Sequence, residues 1–116
     1  MKIEDINMKA LSEKYLEFLR TRENIGCPML AQALAELIDG AVYVGLFDDN
    51  PHCWVVKDSV IYDLNNLIGD SLFLMISTSE KYKPLARDPM QIAMSLGFSK
   101  RSFNKWKNKF KVAMSV

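Results

Sequence analysis

Between Ala41 and Ser77 the sequence carries short runs rich in β-branched and aromatic residues, each too short for a typical helix. Polar turn residues separate the runs, among them the cluster 48–51 and the pair Asp58-Ser59. Consecutive strands joined by such short turns pair with each other in antiparallel fashion. We therefore predict an antiparallel sheet of three to four strands, formed from residues 41–48, 71–77 and a hairpin over 52–65 that turns at Asp58-Ser59.

Helical periodicity lies on both sides of this region. Apolar residues recur at helical spacing over residues 4–20, and again over 27–40, where Pro28 suits the first position of a helix and Gly40 its end. A loop is expected at 78–88, followed by two helices at about 89–96 and 100–113. Two helices, a sheet and two more helices indicate the α+β class, with the 116 residues forming a single domain.

The overall composition narrows the class of protein further. The formal net charge is +1, which gives no global field to attract nucleic acid or a membrane. We find no signal peptide and no apolar stretch long enough to cross a bilayer. Two cysteines and one histidine make neither a disulfide framework nor a zinc pattern, so we expect no metal and no cofactor. The sequence favours a cytoplasmic protein with reduced thiols.

Cys27 stands directly before Pro28, at the start of the predicted helix. The free N–H groups and the dipole of a helix N-terminus favour an anion, so the pKa of this thiol should fall. The backbone N–H of Cys27 could stabilise a developing oxyanion, and Asn24 is a candidate second donor because Pro28 has no N–H. The alternative is a small buried residue that caps a core helix.

His52 and Asp63 are brought together by the predicted hairpin. If Lys57 pairs with Val60, then Val55 faces Tyr62, Trp54 faces Asp63 and His52 faces Asn65. His52, Trp54 and Asp63 would then share one face of the sheet, with Asp63 diagonal to His52 and within reach of a side-chain hydrogen bond. Trp54 could shield the pair from water. Cys53 should face the core with Val55, and the alternative is a resolving or redox cysteine. The alternatives are a structural histidine and an acid that caps a strand end.

The run from His52 to Asp63, HCWVVKDSVIYD, resembles the His-x-Trp-Val…Val-x-Asp hairpin of transglutaminase-like and related papain-fold domains. The run GCPMLAQAL at 26–34 is similar to the nucleophile helix of that superfamily, whose chain order is Cys, His, Asp. The resemblance covers residues 22–77, the nucleophile helix plus the sheet, and leaves 89–114 as a C-terminal helical pair. It implies a catalytic triad of Cys27, His52 and Asp63.

The C-terminal segment supports a rival hypothesis. Six basic residues and no acidic ones follow Ser99, and the segment 88–110 resembles a helix-turn-helix in which Ala93 packs between helices. Lys100, Arg101 and Lys105 would then contact nucleic acid. The alternative is an amphipathic helical pair packed on the sheet, with solvated lysines.

Taken together, these patterns predict thiol-dependent acyl chemistry on a peptide, isopeptide or glutamine amide, as in a cysteine peptidase, deamidase or transglutaminase-like enzyme. Cys27 would attack the carbonyl carbon, His52 would transfer protons and Asp63 would orient His52. The expected partner is a protein or peptide substrate. Two alternatives remain open, a small regulatory or nucleic-acid-binding protein and a catalytically inactive papain-fold interaction module. The sequence does not determine the oligomeric state.

Overall fold

The computed structural model describes residues 1–21, 26–68, 71–78, 80–85 and 88–115. Within these ranges a short 3-10 turn at Ile3–Asp5 precedes four α-helices and five strands. The helices are α1 (Met8–Thr21), α2 (Cys27–Ile38), α3 (Pro89–Ser95) and α4 (Lys100–Ser115). The strands are β1 (Ala41–Phe47), β2 (Asn50–Lys57), β3 (Val60–Ile68), β4 (Ser71–Ser77) and β5 (Tyr82–Leu85). They form one antiparallel sheet in the order β4-β3-β2-β1-β5.

The predicted α+β class is confirmed, but the predicted number of strands is wrong. The fifth strand, β5, lies in the segment 78–88 that we expected to be a loop, and it pairs with β1. It has only four residues and contains Lys83 and Pro84, which weaken its strand signal. A short strand with proline and lysine is, however, typical of a sheet edge, where an unpaired backbone must not recruit another chain.

The predicted start of α1 is also wrong. The helix begins at Met8 rather than at residue 4, because the Asn7 side chain accepts a hydrogen bond of 3.0 Å from the N–H of Ala10. A side-chain oxygen in this position caps a helix N-terminus. Helix α2 ends at Ile38, and the left-handed residue that follows it is Asp39, with φ of 59°, rather than the predicted Gly40.

The hairpin between β2 and β3 turns at Asp58-Ser59, as predicted. Both residues have positive φ, 50° and 65°, which gives a twist that matches the flanking strands. Lys57 pairs with Val60, and Val55 pairs with Tyr62, so the predicted register is confirmed at these positions.

The sheet has two faces, which we call the helix-facing face and the second face. Helix α2 packs on the helix-facing face, where Val44, Cys53, Val55, Leu64 and Leu72 enter the hydrophobic core. Strand parity and register place His52, Trp54 and Asp63 on the second face. Trp54 and Asp63 are nevertheless only 2% and 0% exposed.

The burial of the second face results from the course of β5. A Cβ atom at Gly45 would overlap the Lys83 carbonyl oxygen and lie 2.8 Å from the Pro84 Cα, so the β5 backbone passes directly against β1 at this position. The sheet therefore curls, and Tyr82 of β5 packs against Phe47 and Trp54 with ring centroids 4.6 and 5.0 Å apart. This curl encloses the middle of the second face.

The helical layer is held together by aromatic side chains. Phe18 of α1 is fully buried and packs against Phe98, Trp106 and Phe110, with ring centroids 5.0 to 5.9 Å apart. Helix α4 thereby joins α1 and α2 into one layer over the sheet. No helix in the described ranges combines the length and the apolar character needed to cross a bilayer.

Candidate active site

Cys27 is the first residue of α2 and is partly exposed. Gly26, the residue just before it, is held by α1, because its N–H donates a hydrogen bond of 3.4 Å to the phenol oxygen of the buried Tyr15. The Gly26 carbonyl in turn accepts a hydrogen bond of 3.0 Å from the N–H of Leu30, which closes the first turn. The Cys27 N–H belongs to the group of N–H donors that a helix leaves without an internal acceptor. The thiol and a backbone donor are therefore presented together.

His52 and Asp63 form the hydrogen bond that the sequence predicted. The Nε2 atom of His52 lies 2.6 Å from Oδ1 of Asp63, and the two side chains are 14% and 0% exposed. The second carboxylate oxygen, Oδ2, accepts a hydrogen bond of 2.6 Å from the Tyr82 phenol. Asp63 is thus held from both sides, by β2 and by β5.

The backbone arrangement behind this contact differs from our prediction. The ladder between β2 and β3 ends at Val55 and Tyr62, so the expected pairing of Trp54 with Asp63 does not form. Beyond this point β3 pairs with β4 and β2 pairs with β1. The two strands separate at the level of His52 and Asp63, and their side chains meet where the ladder has ended.

The Cys27 thiol contacts residues of both faces of β2. It makes side-chain hydrogen bonds with Cys53, which faces the helices, and with His52, which faces the other way. The backbone N–H of Cys53 also donates to the Cys27 sulfur. Because Nε2 of His52 is bonded to Asp63, Nδ1 is the ring nitrogen available to the thiol. The structure thus brings Cys27, His52 and Asp63 together in one continuous chain of contacts.

These contacts change the acidity of the Cys27 thiol and of the His52 imidazole. Hydrogen bonding by Cys53 is the largest influence on Cys27, and together with the hydrogen bond and charge of His52 it outweighs burial and lowers the pKa of the thiol to about 6. Burial by itself would lower the pKa of His52, but its hydrogen bonds to Asp63 and Cys27 raise that pKa to about 9. Between these two values the pair is a thiolate beside an imidazolium.

Tyr82 is the site residue that the sequence analysis missed. Its phenol is held as a donor, because burial, followed by the hydrogen bond to Asp63, raises the pKa of Tyr82. Tyr82 lies in the segment that we expected to be a loop, and nothing in its local sequence connects it to a carboxylate three strands away in the sheet. Recognising it requires the curl of the sheet.

The sequence analysis named two further residues near the triad, Trp54 and Asn24. Trp54 is buried beside the proposed triad, with ring centroids 6.4 Å from His52 and 5.0 Å from Tyr82. It is positioned to exclude water from one side of the His52–Asp63 pair. Asn24, the predicted second oxyanion donor, lies outside the described residues.

The predicted C-terminal helical pair is present as α3 and α4. Ala93 is fully buried between helices, and Gly97 provides the turn with φ of 95°. The three predicted contact residues, Lys100, Arg101 and Lys105, are exposed on α4. The aromatic residues of α4 are buried, and Lys107 and Lys111 form ion pairs of 3.1 and 3.0 Å with Glu36 of α2. Part of the basic character of α4 therefore serves to pack it on α2.

In the described part of the chain, no group of three or more His, Cys, Asp or Glu side chains is arranged to hold a metal ion. Comparison with protein-family models, with curated proteins and with solved structures finds no match. The interpretation of this site therefore depends on its own geometry.

Proposed function

We propose that the protein is a cysteine-nucleophile enzyme of the papain and transglutaminase-like kind, acting on a peptide, isopeptide or glutamine amide. The observation that carries this proposal is the contact of the Cys27 thiol with His52, whose other ring nitrogen is bonded to the fully buried Asp63. A thiol at a helix N-terminus, a base in contact with it and a third group that orients the base are the elements of nucleophilic catalysis.

The first half of the reaction forms a thioester. The Cys27 thiolate attacks the carbonyl carbon of the amide, and the oxygen that becomes negative is stabilised by the Cys27 N–H. The imidazolium of His52 gives its Nδ1 proton to the departing nitrogen, so ammonia or an amine leaves and the acyl group stays on sulfur. Asp63 keeps the ring oriented and balances the positive charge of His52 before this transfer.

The second half releases the acyl group. Neutral His52 removes a proton from water or from an acceptor amine, which attacks the thioester carbon and expels the Cys27 thiolate. Water gives hydrolysis or deamidation, and an amine gives acyl transfer. His52 ends the cycle protonated and Cys27 ends it as a thiolate, so the starting pair is restored.

The test is to trap the acyl-enzyme under reducing conditions. The protein is mixed with three classes of donor, a peptide thioester, a peptide anilide and a glutamine peptide, and intact mass is followed with time. We expect an acyl adduct on Cys27 that is absent in Cys27→Ala and forms more slowly in His52→Ala. Failure of all three donors to acylate Cys27 in a folded protein would contradict the enzymatic proposal and favour an inactive interaction module.

The nucleic-acid alternative has one observation in its favour, the exposure of Lys100, Arg101 and Lys105 on one helix. It predicts retention on duplex DNA that weakens as salt rises, since phosphate contacts release counterions. Replacing all three residues by glutamate should then abolish retention, whereas glutamate at Lys9 and Lys14 of α1 should reduce it less. Retention that is equal in both variants, or absent in the wild type, would argue against this alternative.

A further inference from the structure

The two cysteines of this chain lie in contact with each other, at the N-terminus of α2 and on β2. We propose that Cys27 and Cys53 form a site of reversible oxidation, in which Cys27 reacts with a hydroperoxide and Cys53 closes a disulfide. The proposal shares Cys27 with the proposed function but does not depend on any acyl substrate.

The positions of the two thiols assign them different roles. Cys27 is partly exposed, so it is the more accessible of the two cysteines. Cys53 is only 3% exposed, belongs to the hydrophobic core and sits on β2 opposite Val44. The oxidant therefore meets Cys27 first, and Cys53 is reached only through Cys27.

The contact between the thiols is held by the fold. Cys27 packs against the hydrophobic core that includes Cys53, and hydrogen bonding by Cys53 acts on the Cys27 sulfur. Helix α2 packs directly on β2, and this packing keeps the start of the helix above the strand. A disulfide requires close approach of the two sulfurs, and here they already share a hydrogen bond.

The chemistry balances with a hydroperoxide as the only added reactant. The Cys27 thiolate attacks the outer oxygen, the O–O bond breaks, and Cys27 becomes a sulfenic acid while hydroxide or an alkoxide leaves. The Cys53 sulfur then attacks the Cys27 sulfur, which forms the S–S bond and releases the sulfenic oxygen as water. Cysteine sulfur is oxidised by two electrons overall, and the peroxide is reduced by two.

The first oxidation also prepares Cys53 for the second step. The hydrogen bond to Cys27 is the largest cause that raises the pKa of Cys53, and the charge of the Cys27 thiolate adds to it. Sulfenic acid carries no such charge, so oxidation of Cys27 removes this charge contribution, while burial continues to raise the pKa of Cys53. The resulting disulfide occupies the sulfur that the acyl reaction needs, and a thiol reductant restores it.

The experiment uses the full chain, reduced and then freed of reductant, and treats it with hydrogen peroxide near neutral pH. Digestion without reduction should yield one peptide linking Cys27 to Cys53, lighter than the sum of its parts by two hydrogen masses and cleaved by dithiothreitol. In Cys53→Ala the linked peptide should be replaced by a sulfenic acid on Cys27, captured by dimedone and oxidised further by excess peroxide.

The proposal is overturned if the wild type yields sulfinic acid or a dimedone adduct on Cys27 as readily as Cys53→Ala does. It is equally overturned if the only disulfide joins two chains. Should Cys53→Ala fail to fold, as judged by circular dichroism, the linked peptide in the wild type decides alone. Because acylation is measured under reducing conditions, failure of the disulfide leaves the proposed acyl chemistry standing, and failure of acylation leaves the disulfide result standing.

Discussion

The Tyr82 phenol donates a hydrogen bond of 2.6 Å to Oδ2 of Asp63, although the two residues belong to strands separated by β1 and β2. This bond leaves Oδ1 of the same carboxylate for His52, 2.6 Å away. A carboxylate in the interior of a protein needs such donors, because its oxygens have lost the hydrogen bonds of water. Tyr82 therefore supports the site through Asp63 and acts as a positioning residue.

The first prediction concerns that bond. Replacing Tyr82 by phenylalanine keeps the ring but leaves Oδ2 of the buried Asp63 without its donor, which should lower the free energy of unfolding by about 1–3 kcal/mol. Urea denaturation followed by tryptophan fluorescence measures the change. Tyr43→Phe is the matched control, since that residue is 41% exposed and should change stability by less than about 0.5 kcal/mol. Equal effects of the two substitutions would show that the bond contributes nothing.

The second prediction concerns the reactivity of Cys27. The rate of alkylation by iodoacetamide should rise with pH around a midpoint of about 6, the pKa of this thiol, rather than around the ordinary value of 9.0. Cys27 should be labelled well before Cys53 at neutral pH, because the pKa of Cys53 is raised. Peptide mapping identifies which thiol has reacted.

Two variants separate the causes of this reactivity. His52→Ala and Cys53→Ala each remove a hydrogen-bonding partner of the Cys27 sulfur, so both should move the midpoint upward and slow labelling at neutral pH. Asn50→Ala, an exposed position at the start of the same strand, should leave the midpoint unchanged. A wild-type midpoint near that of an ordinary thiol would contradict the lowered pKa.

The third prediction concerns stability as a function of pH. The folded-state pKa of His52, about 9, exceeds its ordinary value of 6.5, so its contribution to stability is complete below 6.5 and is lost as pH rises through 9. The pKa of Cys27 is lowered to about 6 from 9.0, so its contribution is present above 9 and is lost as pH falls through 6. As pH rises, the contribution of His52 to stability falls while that of Cys27 grows. The free energy of unfolding of the wild type should therefore change little between about pH 6.5 and 8.5.

Cys27→Ser removes the pH-dependent contribution of the Cys27 thiol and leaves that of His52. The free energy of unfolding of this variant should fall as pH rises through the same window, by less than about 1.4 kcal/mol per pH unit, because folded His52 still holds its proton more tightly than unfolded His52. Denaturation at a series of pH values measures the slope. If Cys27→Ser were as flat as the wild type, the charge pairing would be absent.

The fourth prediction concerns Gly45. A methyl group at this position would overlap the Lys83 carbonyl oxygen, so Gly45→Ala should push β5 away and cost about 1–3 kcal/mol of stability. Lys83→Ala is the control, because it shortens an exposed side chain of β5 without changing the backbone contact. A thermal melt that is the same for Gly45→Ala and the wild type would show that β5 does not lie against β1.

Local patterns in the sequence were enough to predict much of the fold. The turn residues Asp58-Ser59 placed the centre of the hairpin, and pairing Lys57 with Val60 across them gave the register that β2 and β3 have next to the turn. Pro28 marked the start of α2 and so placed Cys27 at the N-terminus of a helix. From these two features the sequence analysis predicted that Cys27, His52 and Asp63 share one site.

The parts that were missed depend on long-range packing. Strand parity showed that Cys53 faces the core, but not that the start of α2 would lie over it. Tyr82 was missed because a four-residue edge strand with a proline has a weak local signal. Its hydrogen bond to Asp63 depends on how far the sheet curls, which is a property of all five strands.

The close approach of β5 to Gly45 makes the residue at position 45 a condition for the hydrogen bond between Tyr82 and Asp63. Any relative that acquired a larger residue at position 45 would lose the place where β5 rests, and with it the phenol that faces Asp63. Such a relative would need to replace the donor from another part of its chain or give up the charged carboxylate. The residues at positions 45, 63 and 82 should therefore co-vary among relatives of this chain.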